Sequence, residues 1–395
     1  MKIAFCSRRP FPDGPVRQPF LENDPANIAY VLGGEYFSFL TLKKLSSRQL
    51  VNRLKPYDLV FVALDLRNFD IVERIAGACE GRMAAYSEGG IADYQMHSAA
   101  GQYSFLRLIR SAAINFLYWE KFVPFYRSLT DAPVEFLPYP YLTDEVNQFF
   151  VPHSARPRHV TLPSGLTGAT RNGLSSLAVA KELLERNLIT QINCWLSTPT
   201  FAEDAQVVQY FLNGSAIPRH AAPTRFNWRR WLHNSRLDYR PLLRLKNTLL
   251  TRRPGVPTAA LVQTSNLALY RRQTWLNYLA EAARSSLVID MNNRETVGRN
   301  ALDCAALGIV CVSTVRSDMQ PRLFPETTLE DSWDIERAVT LCQRLLQDKA
   351  YYQGIVDYAT ETLKQFEQQA FLERWQRILE RYPQLRRLRS SSWNT

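Results

Sequence analysis

The chain has 395 residues, of which 46% are hydrophobic, and a formal net charge of +11 at pH 7. This length and apolar content predict two domains with large cores. No stretch approaches the roughly 20 apolar residues that cross a bilayer, and the N-terminal residues lack the features of a secretory signal. The six scattered cysteines form no C-x-x-C pair, which disfavours a zinc site and predicts buried free thiols. We therefore expect a cytoplasmic protein, with peripheral membrane attachment as an alternative.

The first 150 residues alternate apolar runs of strand length with stretches of helical periodicity, which is typical of a parallel sheet covered by helices. Four runs predict strands, namely KIAFCS, DLVFVALD, RMAAYS and VEFLPY. Three stretches between them predict helices, namely SSRQLVNRLK, FDIVERIAGAC and FLRLIRSAAINFLYW. Ser46 or Ser47 is suited to cap the first of these helices.

The run LPYPYLTDEVNQFFVPHSARPRH loses this periodicity, and the alternation restarts after it. The second half predicts strands in HVTLP, TQINCWL, SSLVID and IVCVST, and helices in LSSLAVAKELLERN and RNALDCAAL. We therefore predict an α/β fold of two Rossmann-like domains that face each other across a ligand cleft. The predicted divisions are an N-terminal domain, a C-terminal domain, and a C-terminal helix that returns to the first domain followed by a basic tail. Their boundaries are 1–152, 158–365 and 366–395.

The stretch NRETVGRNALDCAALG, residues 293–308, lies between two predicted strands. Glu295 would lie in the loop at the carboxyl end of the first strand, and Gly298 would begin a helix whose free amides favour a phosphate. Asp303 would lie roughly 7 to 8 Å beyond Gly298 along that helix. This separation suits contacts to different parts of one extended ligand.

These residues carry a family resemblance. A glutamate, a glycine three residues later, an acid eight residues after the glutamate, AALG and a buried strand resemble the E-x7-E region of retaining glycosyltransferases with the GT-B fold, as in glycosyltransferase family 4. The resemblance covers most of residues 260–380 in pattern, and over residues 1–150 it is only architectural. It implies transfer of a sugar from a nucleotide-diphosphate sugar with retention of configuration. Asp303 departs from the family pattern, which usually has glutamate there, and is shorter by about one methylene.

Carried over by position, the resemblance assigns a role to each of these residues. Glu295 would hold hydroxyls of the donor sugar, Gly298 and the amides beside it would meet the diphosphate, and Asp303 would bind ribose hydroxyls. Arg299, at the start of the helix, would add a positive charge. The other predicted donor-binding residues of this stretch are Asn293 and Thr296.

The first loop of the second domain, LPSGLTGATRNG, is also expected to bind the donor. In the family this loop usually carries an arginine and, later, a lysine, which together neutralise the diphosphate. Here Arg171 stands at the lysine position and the other basic residue is missing, although arginine can meet a phosphate with two hydrogen bonds. Gly165 and Arg171 are therefore predicted donor-binding residues.

The loop YSEGGIADYQMHS follows a predicted strand of the first domain and would form the facing wall of the cleft. We predict that His97 contacts the donor sugar or the acceptor hydroxyl, and that Asp93 takes part in catalysis as a base. Glu88 would orient the acceptor or act as the base instead. The alternative is that all three are ordinary polar loop residues.

No metal or cofactor is expected beside the nucleotide sugar. The sequence contains no D-x-D pair, which disfavours the metal-dependent type of glycosyltransferase, and arginines with helix-start amides can stabilise a leaving diphosphate. It also contains no G-x-x-x-x-G-K-[ST] and no G-x-G-x-x-G after a strand. These absences argue against a P-loop NTPase and against a dinucleotide enzyme.

A basic, aromatic window runs from Arg219 to Arg253 and holds ten Lys or Arg residues against one acid. It lies in a predicted insertion near 215–255, and its candidates for an acceptor or polyanion surface are Arg225, Trp228, Arg229, Arg230 and Trp231. Such residues suit nucleic acid or an anionic bilayer, and they could equally pack inward. We expect a surface or lipid-linked glycan as acceptor. Hydroxymethylated bases in DNA, as in phage-type DNA modification, and a catalytically degenerate domain that binds nucleic acid are the alternatives.

Overall fold

The structure is a computed structural model that describes most of the chain. The described ranges are 1–9, 11–22, 24–64, 68–87, 98–163, 173–196, 201–213, 262–271 and 274–386. Within them the chain forms two seven-stranded sheets, one from each half of the sequence. The predicted α/β fold with two parallel-sheet domains is confirmed.

The N-terminal sheet has the strand order β2-β3-β1-β4-β5-β6-β7 and is parallel except for the pairing of β2 with β3. Its strands are β1 (Ile3–Ser7), β2 (Gly14–Pro15), β3 (Glu35–Ser38), β4 (Leu59–Leu64), β5 (Met83–Ser87), β6 (Ile114–Leu117) and β7 (Val134–Phe136). The helices of this half are α1 (Asp24–Val31), α2 (Phe39–Leu42), α3 (Ser47–Leu54), α4 (Phe69–Cys79), α5 (Ala99–Ser111), α6 (Val123–Arg127) and α7 (Thr143–Asn147), with short 3-10 turns at Glu120–Phe122 and His153–Ala155.

Side chains that alternate along each strand supply two hydrophobic cores, one on each face of this sheet. In β1, Ala4 and Cys6 join the core beneath α3, α4 and α5. Ile3 and Phe5 join the opposite core, which α1 covers together with a helix from the end of the chain. Because both faces are covered, the strands read in the sequence as continuous apolar runs.

The C-terminal sheet has the strand order β10-β11-β9-β8-β12-β13-β14 and is parallel except for β10 with β11. Its strands are β8 (His159–Leu162), β9 (Gln191–Leu196), β10 (Val262–Gln263), β11 (Leu267–Arg271), β12 (Leu287–Asp290), β13 (Val310–Thr314) and β14 (Thr328–Leu329). The helices are α8 (Gly173–Glu185), α9 (Phe201–Asn213), α10 (Trp275–Ala282), α11 (Arg299–Leu307), α12 (Gln320–Leu323), α13 (Ile335–Gln347), α14 (Lys349–Leu363) and α15 (Gln368–Arg381), with 3-10 turns at Pro325–Thr327, Lys364–Phe366 and Pro383–Arg386.

Most predicted elements lie where the sequence pattern put them. Ser46 caps α3, and its capping box with Gln49 settles the choice between the two serines. The predicted helix FLRLIRSAAINFLYW is wrong in its second half, because α5 ends at Ser111 and the next four-residue apolar run is the buried strand β6. A short apolar run has the same appearance in a buried strand and in a buried helix, so periodicity alone could not separate them.

The C-terminal helix α15 returns to the N-terminal domain, as predicted. Trp375 packs with its ring centroid 5.7 Å from that of Phe61 and 5.8 Å from that of Phe116. Near the end of the helix, Arg381 donates to the Glu135 carboxylate over 2.6 Å. Helix α15 therefore completes one of the two cores of the first domain.

The linker between the sheets is fixed to the second domain by a buried arginine. Arg156 donates to the carbonyl oxygens of Leu307 and Gly308 over 2.6 Å each. These carbonyls end α11, so a cation at this point satisfies acceptors that the helix leaves unpaired. The opposite end of α11 points toward the first domain.

The six cysteines are buried and free, as the sequence predicts. Among the described residues, no helix combines the length and the apolar character that a bilayer crossing requires. The predicted basic insertion near 215–255 and the basic tail after 386 lie outside the described residues. The predicted domain boundaries stay predictions.

Replacing Trp375 with alanine should destabilise the N-terminal domain, because the side chain is 5% exposed and fills the core between α15 and the sheet. We expect a loss of about 3–5 kcal/mol in the free energy of unfolding, measured by chemical denaturation. Trp333→Ala is the control, since that side chain is 65% exposed. A similar effect of both substitutions would contradict the packing of α15.

Candidate functional site

A cleft of about 350 Å³ lies between the two domains, at the carboxyl ends of their parallel strands. Both domains line it. The lining residues are Arg9, Glu22, Asp24, Tyr118 and Tyr139 from the first domain, and Thr274, Trp275, Asp290, Thr296, Val297, Gly298, Arg299 and Asn300 from the second. Carboxyl ends of parallel strands are the usual place for a ligand in α/β folds.

The loop after β12 is held by backbone hydrogen bonds to the loop after β13. Thr296 donates its amide to the carbonyl of Arg316 over 2.9 Å and accepts from the amide of Asp318 over 2.9 Å. Met319 donates in the same way to Val297 over 3.0 Å. This pairing fixes the backbone from which the predicted donor-binding side chains project.

Gly298 is the N-cap residue immediately before α11, and only glycine fits there. Its φ is +86°, in the left-handed region. A Cβ atom at this position would lie 2.3 Å from Ser317 Oγ. The need for glycine therefore comes from the paired loops themselves, and the predicted approach to a phosphate stays a prediction.

Glu295 lies near the first domain. Its Oε1 is 3.7 Å from Lys121 Nζ, and the side chain is 23% exposed. The Lys121 ammonium lies 5.3 Å from the ring centroid of Trp119 and 5.1 Å from that of Phe122. Lys121 of the first domain thus orients the Glu295 carboxylate of the second domain across the interface.

The other predicted donor residues of this loop are also placed near the cleft. Thr296 lines it and accepts from the Asn292 side-chain amide over 3.1 Å. Asn293 is half-buried, and its side-chain oxygen has no hydrogen-bond partner in the described part of the chain. This oxygen is buried, and Asn293 is not among the residues that line the cleft.

Arg299 lies in the cleft and is held by both domains. Its Nη1 donates to Asp24 Oδ1 over 2.6 Å and its Nη2 to the Leu21 carbonyl over 2.6 Å. Burial alone would lower the pKa of the guanidinium, but the carboxylates of Asp24 and Asp303 outweigh it and raise the pKa. Arg299 is therefore permanently charged.

Asp303 is 1% exposed and does not line the cleft. Tyr141 donates its hydroxyl to Asp303 Oδ1 over 2.7 Å, and Arg299 Nε lies 3.9 Å from the same oxygen. Burial raises the pKa of Asp303 to about 7, and Arg299 offsets this only in part because its nearer contact is to Asp24. In this arrangement the carboxyl group faces protein, and its predicted contact with ribose stays a prediction.

The remaining predicted site residues lie outside the described residues. They are Glu88, Asp93 and His97 of the first domain, Gly165 and Arg171 of the loop after β8, and Arg225, Trp228, Arg229, Arg230 and Trp231 of the basic window. Within the described ranges, no three His, Cys, Asp or Glu side chains are grouped in a way that could hold a metal ion.

Sequence reasoning missed six polar residues of the cleft, besides its aromatic residues. Three come from the segment between the end of β1 and the first residue of α1, namely Arg9, Glu22 and Asp24, and three from the second domain, namely Thr274, Asp290 and Asn300. Asn300 donates its side-chain amide to Asp290 Oδ2 over 2.7 Å. The position of Asp290 at the carboxyl end of β12 was a usable signal, whereas nothing in the local sequence links the segment between β1 and α1 to α11.

Comparison with family models and with curated proteins finds no match. Solved structures do match. HepE of Anabaena, in complex with UDP, has a TM-score of 0.60 at 11% identity, over 96% of this chain and 100% of that chain. A UDP-forming α,α-trehalose-phosphate synthase from Burkholderia xenovorans has a TM-score of 0.59 at 12% identity, over 89% and 79%. Sucrose-phosphate synthase of Thermosynechococcus elongatus has a TM-score of 0.58 at 12% identity, over 96% and 98%. The chain therefore has the GT-B fold.

Replacing Gly298 with alanine should cost about 1–3 kcal/mol of unfolding free energy, because alanine is strained at this φ and its Cβ would overlap Ser317 Oγ. Gly354→Ala is the matched control, since a Cβ there meets nothing within 4 Å and the residue lies inside α14. The control should stabilise by about 0.5–1 kcal/mol. Thermal or chemical denaturation measures both, and a neutral Gly298→Ala variant would contradict the loop geometry.

Asp303 should make stability depend on pH. Because the native state keeps a proton on Asp303 up to about pH 7 and the unfolded chain loses it near about pH 4, the native state binds more protons in this window. The free energy of unfolding contributed by this group therefore falls as pH rises, by up to about 1.4 kcal/mol per pH unit.

Asp303→Asn removes this titration. The difference in unfolding free energy between wild type and variant should move in favour of the variant from about pH 4 to about pH 7. Denaturation curves across this range measure it, with Asp131→Asn as the exposed control. Parallel pH profiles for wild type and Asp303→Asn would contradict the raised pKa.

Proposed function

We propose that the protein is a glycosyltransferase that moves a sugar from a nucleotide-diphosphate sugar to an acceptor hydroxyl. The observation that carries the proposal is the loop from β12 to α11, which presents Thr296, Val297 and the start of a helix to a cleft between two parallel sheets, with Glu295 immediately before them in the same loop. The fold adds support, because its structural neighbours include a protein in complex with UDP and a UDP-forming synthase.

The leaving diphosphate needs positive potential on the cleft side of the second domain. The start of α11 supplies it, since Gly298 provides no side-chain cap and the helix dipole favours an anion at that end. Arg299 adds a full charge at the first position of the helix. Arg9 lines the opposite wall and brings a second cation from the first domain. Such preorganised charges stabilise a leaving group without having to reorganise during the reaction.

The sugar itself would be held by the loop before the helix. Glu295 would accept hydrogen bonds from donor-sugar hydroxyls, and the unpartnered side-chain oxygen of Asn293 would accept another once it is exposed to the cleft. Lys121 orients the Glu295 carboxylate through their contact across the interface. The resemblance to the family 4 motif, with Asp303 as its second acid, implies retention of configuration at the transferred carbon.

The acceptor would enter from the side of the first domain. Tyr118 and Tyr139 line that wall with ring centroids 4.4 Å apart. Aromatic rings with hydroxyl groups combine apolar surface with hydrogen bonding, which suits a saccharide. We therefore propose a glycan acceptor, surface or lipid-linked. The nucleic-acid and membrane alternatives depend on the window 219–253, which lies outside the described residues.

The proposed reaction needs no metal ion. Its charge stabilisation comes from arginines and helix-start amides, and its sugar contacts come from a carboxylate and an amide. The fixed backbone around Thr296 holds these groups in place before the donor arrives.

Glu295→Ala should lower kcat/KM for sugar transfer by about 100-fold or more, because contacts to the sugar strengthen as positive charge develops on its ring. UDP binding should change little, since UDP lacks the transferred sugar that Glu295 is proposed to contact. A panel of UDP-, GDP- and ADP-sugars, read by thermal shift and then by transfer to saccharide acceptors, measures both effects.

Glu185→Gln is the matched control for this substitution. Glu185 ends α8 and does not line the cleft, and its contact with Lys181 lies on the surface. It should leave both transfer and UDP binding unchanged. If no nucleotide or nucleotide sugar stabilises the wild-type protein, the proposed function is wrong.

A further inference from the structure

We propose that Leu21, Glu22 and Asp24 form an anionic latch, which occupies the groups that a nucleotide diphosphate needs and must be displaced before the donor binds. These three residues of the first domain, called the latch residues below, contact α10 and α11 of the second domain. The inference rests on the proposed function and adds a regulation of the same site.

Glu22 covers the start of α10. Its carboxylate accepts from the backbone amide of Trp275 in a short hydrogen bond, and from that of Leu276 over 3.4 Å. Thr274 already caps the helix by accepting from the amide of Asn277 over 3.2 Å. A carboxylate from the other domain thus takes first-turn amides that would otherwise attract an anionic ligand.

Asp24 and Leu21 cover Arg299. The two hydrogen bonds of its guanidinium, one to the Asp24 carboxylate and one to the Leu21 carbonyl, are both 2.6 Å long. The guanidinium carbon also lies 4.8 Å from the centroid of the Trp275 ring, so the two latch contacts are adjacent in space. Both join one domain to the other, and both use residues that line the cleft.

The charges explain why the latch contacts form. Arg299 is mostly buried, with a side chain 19% exposed, and a buried cation is costly unless a carboxylate accompanies it. The Asp303 carboxylate is farther away, at 3.9 Å, and is shared with Tyr141. Asp24 therefore supplies the nearest negative charge, which is the role that a diphosphate would take.

The volume of the cleft supports the same conclusion. With the latch closed, the cleft measures about 350 Å³, near the lower end of the roughly 300–1,000 Å³ typical of small-molecule sites. Moving Glu22 and Asp24 away would enlarge it on the side of Trp275 and Arg299. The latch thus makes binding depend on a ligand with enough negative charge to replace two carboxylates.

The test is calorimetric titration of UDP into the full-length protein and into Asp24→Asn, Glu22→Gln and the double variant. Removing a competing carboxylate raises the fraction of binding-competent protein, so each single variant should bind UDP about 3- to 10-fold more tightly. Asp131→Asn, at an exposed position, changes the net charge equally and should bind UDP as the wild type does. Thermal unfolding without ligand checks that each variant folds.

The outcomes separate the two proposals. Tighter binding in Asp24→Asn and Glu22→Gln, but not in Asp131→Asn, supports the latch. If UDP binds the wild type and the latch variants within twofold of one another, or binds the variants more weakly, the latch is overturned and the proposed function stands. If Asp24→Asn does not fold, the UDP affinity of Glu22→Gln tests the latch through its contact with α10 alone. If UDP binds none of these proteins, both proposals fail.

Discussion

The guanidinium of Arg299 is the interaction on which the arrangement of the site depends. It is the first residue of α11 and contacts Asp24 and Leu21 of the first domain, the Trp275 ring, and the buried Asp303. A charge so enclosed is stable only when carboxylates surround it, and the nearest of these belongs to the other domain. The contact between the two domains at the cleft thus supplies the carboxylate that the buried cation at the start of α11 requires.

Much of the fold could be predicted because its elements follow local rules. The helix α11 matches its predicted range in full, since it lies between two buried strands and two glycines. The strands β3 and β11 were missed, and β6 was taken as the end of a helix. Each of these is a run of four or five residues that becomes a strand by pairing with neighbours distant in sequence, so its own pattern carries little information.

For the same reason, the sequence predicted candidate residues in the second domain but not the residues of the first domain that contact them. The motif from Glu295 to Asp303 is contiguous in sequence, and a resemblance to a family could place it at the carboxyl end of a strand. Lys121 and Asp24, which meet this motif from the first domain, lie more than 170 residues earlier. The burial of Asp303 also depends on Tyr141, which comes from the segment before the linker. These contacts form when the two domains pack together, so the spacing of residues within one segment of the sequence cannot predict them.

Helix α11 and the loops beside it carry most of these contacts. Its start carries Arg299 and opens on the cleft, and its end is held by Arg156 of the linker through two carbonyls. The loop before it carries Glu295, which reaches Lys121 across the interface, and the loop paired with it leads to Arg322, which reaches Glu120 over 2.9 Å. Because one rigid helix and its paired loops take part in all of these interdomain contacts, an opening of the cleft disturbs them together. Under the proposed function, the orientation of Glu295 toward a donor sugar would therefore depend on closure of the two domains, which would couple positioning of the sugar to the exclusion of water from the cleft.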